Sequence, residues 1–326
     1  MAIISQNKFH SFPSIENPRE KIVQSFLTLD PHAQWVALEK IHGANFSLLY
    51  NGAEICACKR SGPIAPDENF YNWGAIVERY TASVKTIFDT LRAADQTVHT
   101  IQVFGELFGG NYPGIKEKGT KQVQAEIYYT AANEFLAFDI LVNEDYFLSQ
   151  SELNSLFTSI VIPLRLVPVL HRGTFEELYK LHDSEQLAKL ESKIYSMFGL
   201  PRVENNIAEG YILKQDSRHS GVCARPILKL KGPAFCEKRH SKQARIVDTN
   251  NADDLFIESI KDYMTENRLA AVASKEGPDC HPQKLLNLFI NDAVADFCKD
   301  TCADYEKIRQ LVGKKLHAYA AGVGQN

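Results

Sequence analysis

Net positive charge is missing from this chain: 36 lysines and arginines face 40 aspartates and glutamates, leaving −4 over 326 residues. That balance argues against a protein that coats nucleic acid by bulk charge. Any contact with a polyanion has to be a local patch, because local field and not net charge decides phosphate binding. Long apolar runs are missing too. No stretch approaches the ~20 residues needed to span a bilayer, and no charged-then-apolar leader follows Met1, so the expectation is a soluble chain with no membrane partner. The seven cysteines, Cys56, Cys58, Cys223, Cys236, Cys280, Cys298 and Cys302, are an odd set without repeated CxxC spacing. A disulfide framework is therefore absent, and so are the tetrahedral ligand sets of zinc sites, although Cys298 and Cys302 stand one helical turn apart and Cys280 precedes His281. An intracellular, reducing compartment is the expectation. Internal repeats and low-complexity segments are also lacking, and nothing signals obligate oligomerisation, which leaves a monomer as the default.

What is present is enough for a substantial core: 44% of the residues are hydrophobic, and the length suffices for two domains. Residues 35–40, 46–50, 55–59, 100–106, 134–142, 210–214 and 227–231 read as short strands from their alternation and their β-branched or aromatic content. Apolar residues recurring at three and four mark helices over 73–92 and 175–197. Irregular interleaving of the two predicts an α+β domain in preference to a doubly wound sheet. After the polar, partly basic stretch 236–251 only helical spacing remains. Leu255, Ile257, Ile260, Tyr263 and Met264 form one apolar stripe, Leu285, Leu288, Phe289 and Val294 a second, and Tyr305, Ile308, Leu311, Val312 and Leu316 a third. The expected division is a mixed domain over 1–246 and a small all-helical domain over 247–326.

The chemistry is carried by Leu38-Glu39-Lys40-Ile41-His42-Gly43-Ala44-Asn45-Phe46, a lysine on an apolar strand followed by a glycine turn and an asparagine. A lysine becomes a nucleophile when its ammonium sheds a proton, which desolvation and neighbouring cations promote. Lys229 and Lys231 lie two apart on a second apolar strand, share one face, and form a paired cationic edge suited to phosphate. Alone, a lysine in a KxxGxN pattern is most often a solvated surface residue. Here it heads an ordered series: Lys59-Arg60-Ser61-Gly62-Pro63, Phe104-Gly105-Glu106, Phe138-Asp139, Glu209-Gly210-Tyr211 and Lys229-Leu230-Lys231.

That series resembles the covalent nucleotidyltransferases, the superfamily of polynucleotide ligases and messenger RNA capping enzymes. Residues 39–46 look like the RNA ligase 2 family of ATP-dependent RNA ligases, with Asn45 where DNA ligases usually have arginine. The match continues in family order and spacing through 58–64, 102–106 and 208–214, and covers roughly residues 35–240. Residues 106–112, with Val123-Gln124, Ile127-Tyr128-Tyr129 and Phe138-Asp139, are similar to the kinetoplastid RNA-editing ligases of that family. Those ligases are expected to lack the helical domain that this chain shares with the phage members. The loop 109–122, with Lys116, Lys118 and Lys121, is longer than the phage pattern and is a place for a different substrate preference.

The resemblance implies an N-terminal nucleotidyltransferase domain, an ATP-grasp-like adenylylation fold with antiparallel sheets, followed by the helical domain. It implies an ATP-dependent RNA ligase using Mg2+ or Mn2+ and sealing 3'-hydroxyl, 5'-phosphate breaks, preferentially nicks in duplex RNA. In that scheme Lys40 attacks the α-phosphorus of ATP and passes AMP to an RNA 5'-phosphate, from which a 3'-hydroxyl displaces it. Lys229 and Lys231 neutralise phosphate charge beside the metal, with Glu209 as their acidic partner. Glu209 and Glu106 are the candidate metal ligands, through bound water, and gripping the ribose hydroxyls is the other option for Glu106. Phe138 stacks on adenine, a contact worth about 1–3 kcal/mol. Asn45 and Arg60 suit ribose or phosphate, backbone groups near Glu39 and Ile41 suit the adenine edge, and Lys59 suits the departing phosphate or the RNA 5'-phosphate. Arg172 and the basic run Lys238, Arg239 and Lys242 are the candidate RNA contacts. The alternatives are a DNA ligase or capping-type nucleotidyltransferase, against which Asn45 and the lack of a β-barrel pattern after Lys231 both weigh, and a catalytically silent RNA-binding repair scaffold, against which the full set of reactive residues weighs.

Overall fold

Strand register decides where the functional residues of this chain meet. The computed structural model describes residues 8–220, 225–238 and 252–323, and the chain divides into two compact units, Met1–Pro233 and Ala234–Asn326. In the first unit the strands are β1 (Trp35–Glu39), β2 (Ala44–Tyr50), β3 (Ile55–Lys59), β4 (Gly62–Pro63), β5 (Ile101–Gly109), β6 (Asn133–Val142), β7 (Tyr146–Phe147), β8 (Arg165–Leu166), β9 (Val169–Gly173), β10 (Gly210–Gln215), β11 (His219–Ser220) and β12 (Ile227–Lys231). The helices of that unit are α1 (Glu20–Leu29), α2 (Trp73–Ala94), α3 (Gln150–Ser159), α4 (Phe175–Tyr179), α5 (Ser184–Leu187) and α6 (Ile194–Met197). The result is the expected α+β architecture.

Two sheets organise the unit. One has the order β12-β10-β1-β9 and is antiparallel throughout, and the other runs β11-β7-β6-β5-β2-β3-β4, with β8 added to β6 in parallel. All five residues of β1 are buried, as a strand flanked on both sides and covered on both faces requires. β1 and β2 are consecutive in the chain yet belong to different sheets, so residues 40–43 carry the backbone from one sheet to the other. α2 lays Ile76, Tyr80, Val84, Ile87 and Phe88, spaced at three and four, into the same apolar cluster as Phe46, Leu48, Val103 and Phe135 of the larger sheet. Full burial of each such side chain contributes roughly 1.5–3 kcal/mol.

The stretch 175–197 is not one helix. Thr174 starts α4 through a reciprocal capping box with Glu177, and Asp183 accepts from the amides of Glu185 and Gln186 and so begins α5 afresh. Between α5 and α6, Glu191 bridges to Ile207. Apolar spacing outweighed capping chemistry in the sequence reading, and the caps divide the segment.

The second unit contains α7 (Ala252–Lys261), α8 (Glu266–Glu276), α9 (Pro282–Thr301) and α10 (Tyr305–Gly322), and no strand among its described residues. Ile257, Ile260, Tyr263, Met264, Phe289, Val294, Ile308, Val312 and Leu316 form its core, whereas Leu285 and Leu288 are half-buried and Ile290, Phe297 and Cys298 take the inward face of α9. Tyr263 and Met264 lie past the end of α7, in the turn before α8. α8 had no apolar stripe to announce it because its inward anchor is Arg268. This buried guanidinium donates through Nε to the Tyr263 carbonyl at 2.7 Å, through Nη2 to Asp296 at 2.8 Å, and through Nη1 to Asp292. Burial works against its charge, but Glu237, Asp292 and Asp296 outweigh that and raise its pKa. No helix among the described residues is long and apolar enough to cross a membrane.

Gly210, the first residue of β10, has φ +147°, and a Cβ there would lie 1.9 Å from the Leu230 carbonyl oxygen of β12. Gly210→Ala should therefore destabilise the fold by about 1–3 kcal/mol in urea unfolding. Gly199→Ala, at φ +67° with no atom within 4 Å, should cost less.

Candidate active site

Glu209 immediately precedes β10, and pairing on both sides of that strand brings two lysines to it. β1 aligns Glu39 with Tyr211, and β12 aligns Lys231 with Gly210. The Lys40 amide donates to the Gly210 carbonyl at 2.9 Å, and the Gly232 amide donates to the Glu209 carbonyl at 2.8 Å. Lys40 Nζ consequently lies 2.6 Å from Glu209 Oε2 and Lys231 Nζ 2.8 Å from Oε1. His42 adds a third contact, its Nδ1 standing 3.2 Å from Glu209 Oε2 and its Nε2 3.2 Å from Glu126 Oε2.

The electrostatics follow from that crowding. The Glu209 side chain is 2% exposed, and burial alone would raise its pKa. Lys231, Lys40 and His42 reverse this and hold the carboxylate well below its usual range. Burial would likewise depress His42, but Glu126 and Glu209 outweigh it and raise the imidazole above its ordinary value.

Gly43 sits in the crossing between the sheets. Its φ lies outside the left-handed region, and the requirement for glycine comes from close approach: a Cβ would meet the Leu107 carbonyl oxygen at 2.4 Å and Glu106 Cγ at 2.8 Å. Glu106 of β5 pairs with Asn45 of β2. Burial lifts Glu106 from 4.5 to about 7, opposed by Lys40 and reinforced by the Glu209 charge, with smaller opposing effects from His42 and Arg60. Burial also lifts Glu39 to about 7 against hydrogen bonds from Ser192 and the Lys193 amide, and Glu39 Oε1 is buried with no hydrogen-bond partner among the described residues. Ile41 is buried in the crossing.

Phe138 occupies a bulge. Phe104 pairs with Asp139 and Gly105 with Ala137, so Phe138 is the extra residue of β6, and a bulge re-aims the side chain it carries. Its ring stands edge-on to Phe12 at 4.9 Å, its flank touches the cluster that includes Ile212 of β10, and its carbonyl accepts from Lys214 Nζ at 3.1 Å. Lys214 and Arg225 both pair with the fully buried Asp139.

The structure thus brings together Lys40, Glu209, Lys231, Glu106, Asn45, Glu39 and Ile41 at the seam between the sheets. Lys229 shares the half-buried face of β12 with Lys231, and its amide donates to the Glu16 carbonyl at 3.0 Å. Lys59, at the end of β3, pairs with Glu68 at 2.6 Å, and Arg60 donates to Ser14 at 3.3 Å. Arg172 is set apart: it faces Val36 near the start of β1, about 13 Å along the strand from Lys40, and pairs with Asp216 at 2.9 Å. Lys238 belongs to the second unit, paired with Asp300 at 3.2 Å and over the Tyr263 ring. Arg239 and Lys242 lie outside the described residues. His42, Glu126 and Tyr129 were not assigned from sequence. Tyr129 Oη accepts from the His42 amide at 2.9 Å across 87 residues, a pairing that no local pattern encodes. Among the described residues no group of three or more histidine, cysteine or acidic side chains is placed to hold a metal ion.

Comparison with known proteins follows the same division of the chain. Residues 33–231 match the family described as RNA ligase, and residues 247–321 match that described as T4 RNA ligase 2 C-terminal. The mitochondrial RNA-editing ligase 1 of Trypanosoma brucei brucei is 28% identical over 291 residues, covering 78% of this chain and 60% of that protein. Mitochondrial RNA-editing ligase 2 of the same organism is 27% identical over 372 residues, covering 95% of this chain and 88% of its own length. Coverage of 95% has to run past residue 246, so the match to editing ligase 2 extends beyond the first domain, where it was expected to stop. A variant of the Naegleria gruberi RNA ligase, solved with ATP and Mn, has the same fold at TM-score 0.50 and 16% identity, covering 70% of this chain and 57% of that one. The chain spans three fifths of the length of the first of these relatives.

Glu106 provides a pH test. Between 4.5 and about 7 the folded protein keeps a proton on Glu106 that the unfolded chain has released, so this residue makes stability fall as pH rises through that window. Unfolding of Glu106→Gln in urea at several pH values should show a weaker decline from pH 5 to 7.5 than the unsubstituted protein shows.

Proposed function

Because the chain belongs to the RNA ligase family, we propose that it is an ATP-dependent RNA ligase. It seals 3'-hydroxyl, 5'-phosphate breaks, preferentially nicks in duplex RNA, through AMP carried on Lys40. The observation that carries this reading is the Glu209 carboxylate held between Lys40 and Lys231. It places the lysine amine beside an orienting anion and a second cation for phosphate. Residues 1–246 are the adenylylating domain and 247–326 the helical domain in this reading.

Lys40 Nζ attacks the α-phosphorus of ATP, an N–P bond forms, and the P–O bond to the departing pyrophosphate breaks. The ammonium proton has to leave first, and Glu209, 2.6 Å away and held well below the usual carboxylate range, orients Lys40 and does not keep that proton. Lys231, and Lys229 on the same face, then balance charge on the phosphates. The AMP moves to the RNA 5'-phosphate with release of the lysine, and attack by the 3'-hydroxyl expels AMP and forms the phosphodiester.

The residues fit adenosine. Glu39 Oε1, buried and without a hydrogen-bond partner among the described residues, is an acceptor for the adenine amino group, Phe138 offers a ring for the base, and Glu106 beside Asn45 offers polar groups for ribose. They also fit a hydrated divalent cation. With two carboxylates, Glu106 and Glu209, and no larger cluster, the ion would keep most of its water and take phosphate oxygens. When bound it neutralises phosphate charge. Arg60 and Lys59 stand beside this site for phosphate. Arg172, Lys238, Arg239 and Lys242 remain the proposed RNA contacts.

Incubation with α-labelled ATP and Mg2+, followed by a denaturing gel and then by nicked duplex RNA, tests the reading. Label should stay on the protein, be discharged by RNA, and give a longer strand. Lys40→Ala should abolish the adduct, and Glu209→Gln, which loses the anion that positions Lys40, should slow its formation by about 10²-fold. Persistence of sealing in Lys40→Ala would sink the assignment. A chain ending at residue 246 should still form the adduct but transfer it poorly to RNA; equal loss of both steps would make the helical unit merely structural.

A further inference from the structure

The first unit holds a pair of thiols that the lysine chemistry does not use. Cys56 and Cys58 lie two apart on β3, so their side chains share one face of the strand, and their sulfurs stand 3.8 Å apart. Both are free; Cys56 is half-buried and Cys58 is buried. The larger sheet holds them in this arrangement, because β2 pairs Leu49 with Cys56 and Ser47 with Cys58. A hydrogen bond from the Cys58 thiol lowers Cys56 to about 7 against the effect of burial, while that bond and then burial hold Cys58 up. The more accessible sulfur is therefore the nucleophile, and the buried one stands behind it as a thiol.

We propose that Cys56 and Cys58 form a reversible oxidation site for a hydroperoxide, and that closing the pair into a disulfide pulls Lys59 and Arg60 out of place. The Cys56 thiolate attacks a peroxide oxygen: an S–O bond forms, the O–O bond breaks, and the displaced oxygen leaves with a proton as water or an alcohol. The Cys58 sulfur then attacks the sulfenic sulfur. An S–S bond forms, and the hydroxyl leaves with the Cys58 proton as water. The two thiols together give up two electrons, and the peroxide takes them.

The mechanical effect follows from strand geometry. Residues two apart on a strand have Cα atoms roughly 6.7 Å apart, whereas a disulfide most often holds its Cα atoms about 5.5–6 Å apart. Bond formation contracts β3 by about 1 Å while Ser47 and Leu49 of β2 keep their spacing. The ladder has to give at its end, and that end is Lys59, which pairs with Phe46 and Gly62 and reaches Glu68 at 2.6 Å. Arg60 follows it directly. A disulfide forced on a strand in this way is readily reduced by small thiols, as a transient modification in a reducing compartment requires. The oxidation site stands on the pair alone; its effect on adduct formation rests on the ligase reading.

Trypsin should release residues 41–59 as one peptide that contains Cys56, Cys58 and no other cysteine. The test treats the reduced full chain with an equimolar amount of hydrogen peroxide, alkylates it with iodoacetamide and digests it, with α-labelled ATP labelling run on the same samples. The peptide should become two hydrogens lighter and lose both alkylation sites before the exposed Cys302 is oxidised. Label on the protein should fall about tenfold or more, and dithiothreitol should restore both readouts. Cys58→Ser should stop at a sulfenic acid on Cys56 that dimedone traps, and Cys56→Ser should keep its labelling in peroxide. A peptide that stays doubly alkylated while Cys302 is oxidised would overturn the proposal, as would a disulfide that leaves labelling unchanged. Oxidation of the peptide in a chain that never acquires label, even when reduced, would uphold the oxidation site and sink the ligase reading.

Discussion

The Glu209 carboxylate is the constraint on which the first unit depends. It is almost fully buried, and it is stable there as an anion because Lys231, Lys40 and His42 surround it. Removing any one of them leaves charge uncompensated in a place with little water, where such losses are expensive. These three partners come from three segments of the chain: the end of β12, the residue after β1 and the crossing that follows it. One buried charge therefore reports on whether β1, β10 and β12 are in register and the crossing out of their sheet is correctly placed. The Glu126 contact extends the network to a residue with positive φ, tying a loop to the same imidazole.

The chemistry sits at a seam, and the seam is a consequence of topology. A chain that passes directly from a central strand of one sheet to a central strand of another has to expose a few backbone groups where the two meet, and residues 40–43 do so. Gly43 allows the crossing to lie against Leu107, and Glu106 is consequently pressed next to the lysine cluster. The raised carboxyls of Glu39 and Glu106 are the energetic mark of that crowding. The helical unit solves a different problem, surrounding the Arg268 guanidinium of α8 with acceptors from α9, from the turn after α7 and from Glu237.

Much of this was legible in the sequence because the signals were local. Strands 55–59 and 227–231 have the expected bounds, since β-branched and aromatic alternation is written in adjacent residues. Lys40, Glu209 and Lys231 were recognisable by their motifs. The failures were of two kinds. Apolar spacing over 175–197 hid the capping residues Thr174 and Asp183, which restart the chain. Contacts across large separations, such as His42 with Glu126 and Tyr129 or Lys214 with Asp139, left no periodic trace. The bulge at Phe138 belongs to the second kind, because an extra residue on one strand is defined only by its partner.

The register of β10 carries a consequence for how this fold tolerates length changes. Side chains alternate faces with a period of two, so one residue gained or lost within β10 or β12 would turn Lys231 away from Glu209 and turn apolar neighbours outward together. Insertions and deletions are therefore compatible with the seam where they fall in exposed connections, such as residues 113–119 between β5 and β6, and incompatible with it inside the three strands that bracket Glu209. Natural or engineered variation in size should concentrate in those connections, leaving the lengths of β1, β10 and β12 unaltered.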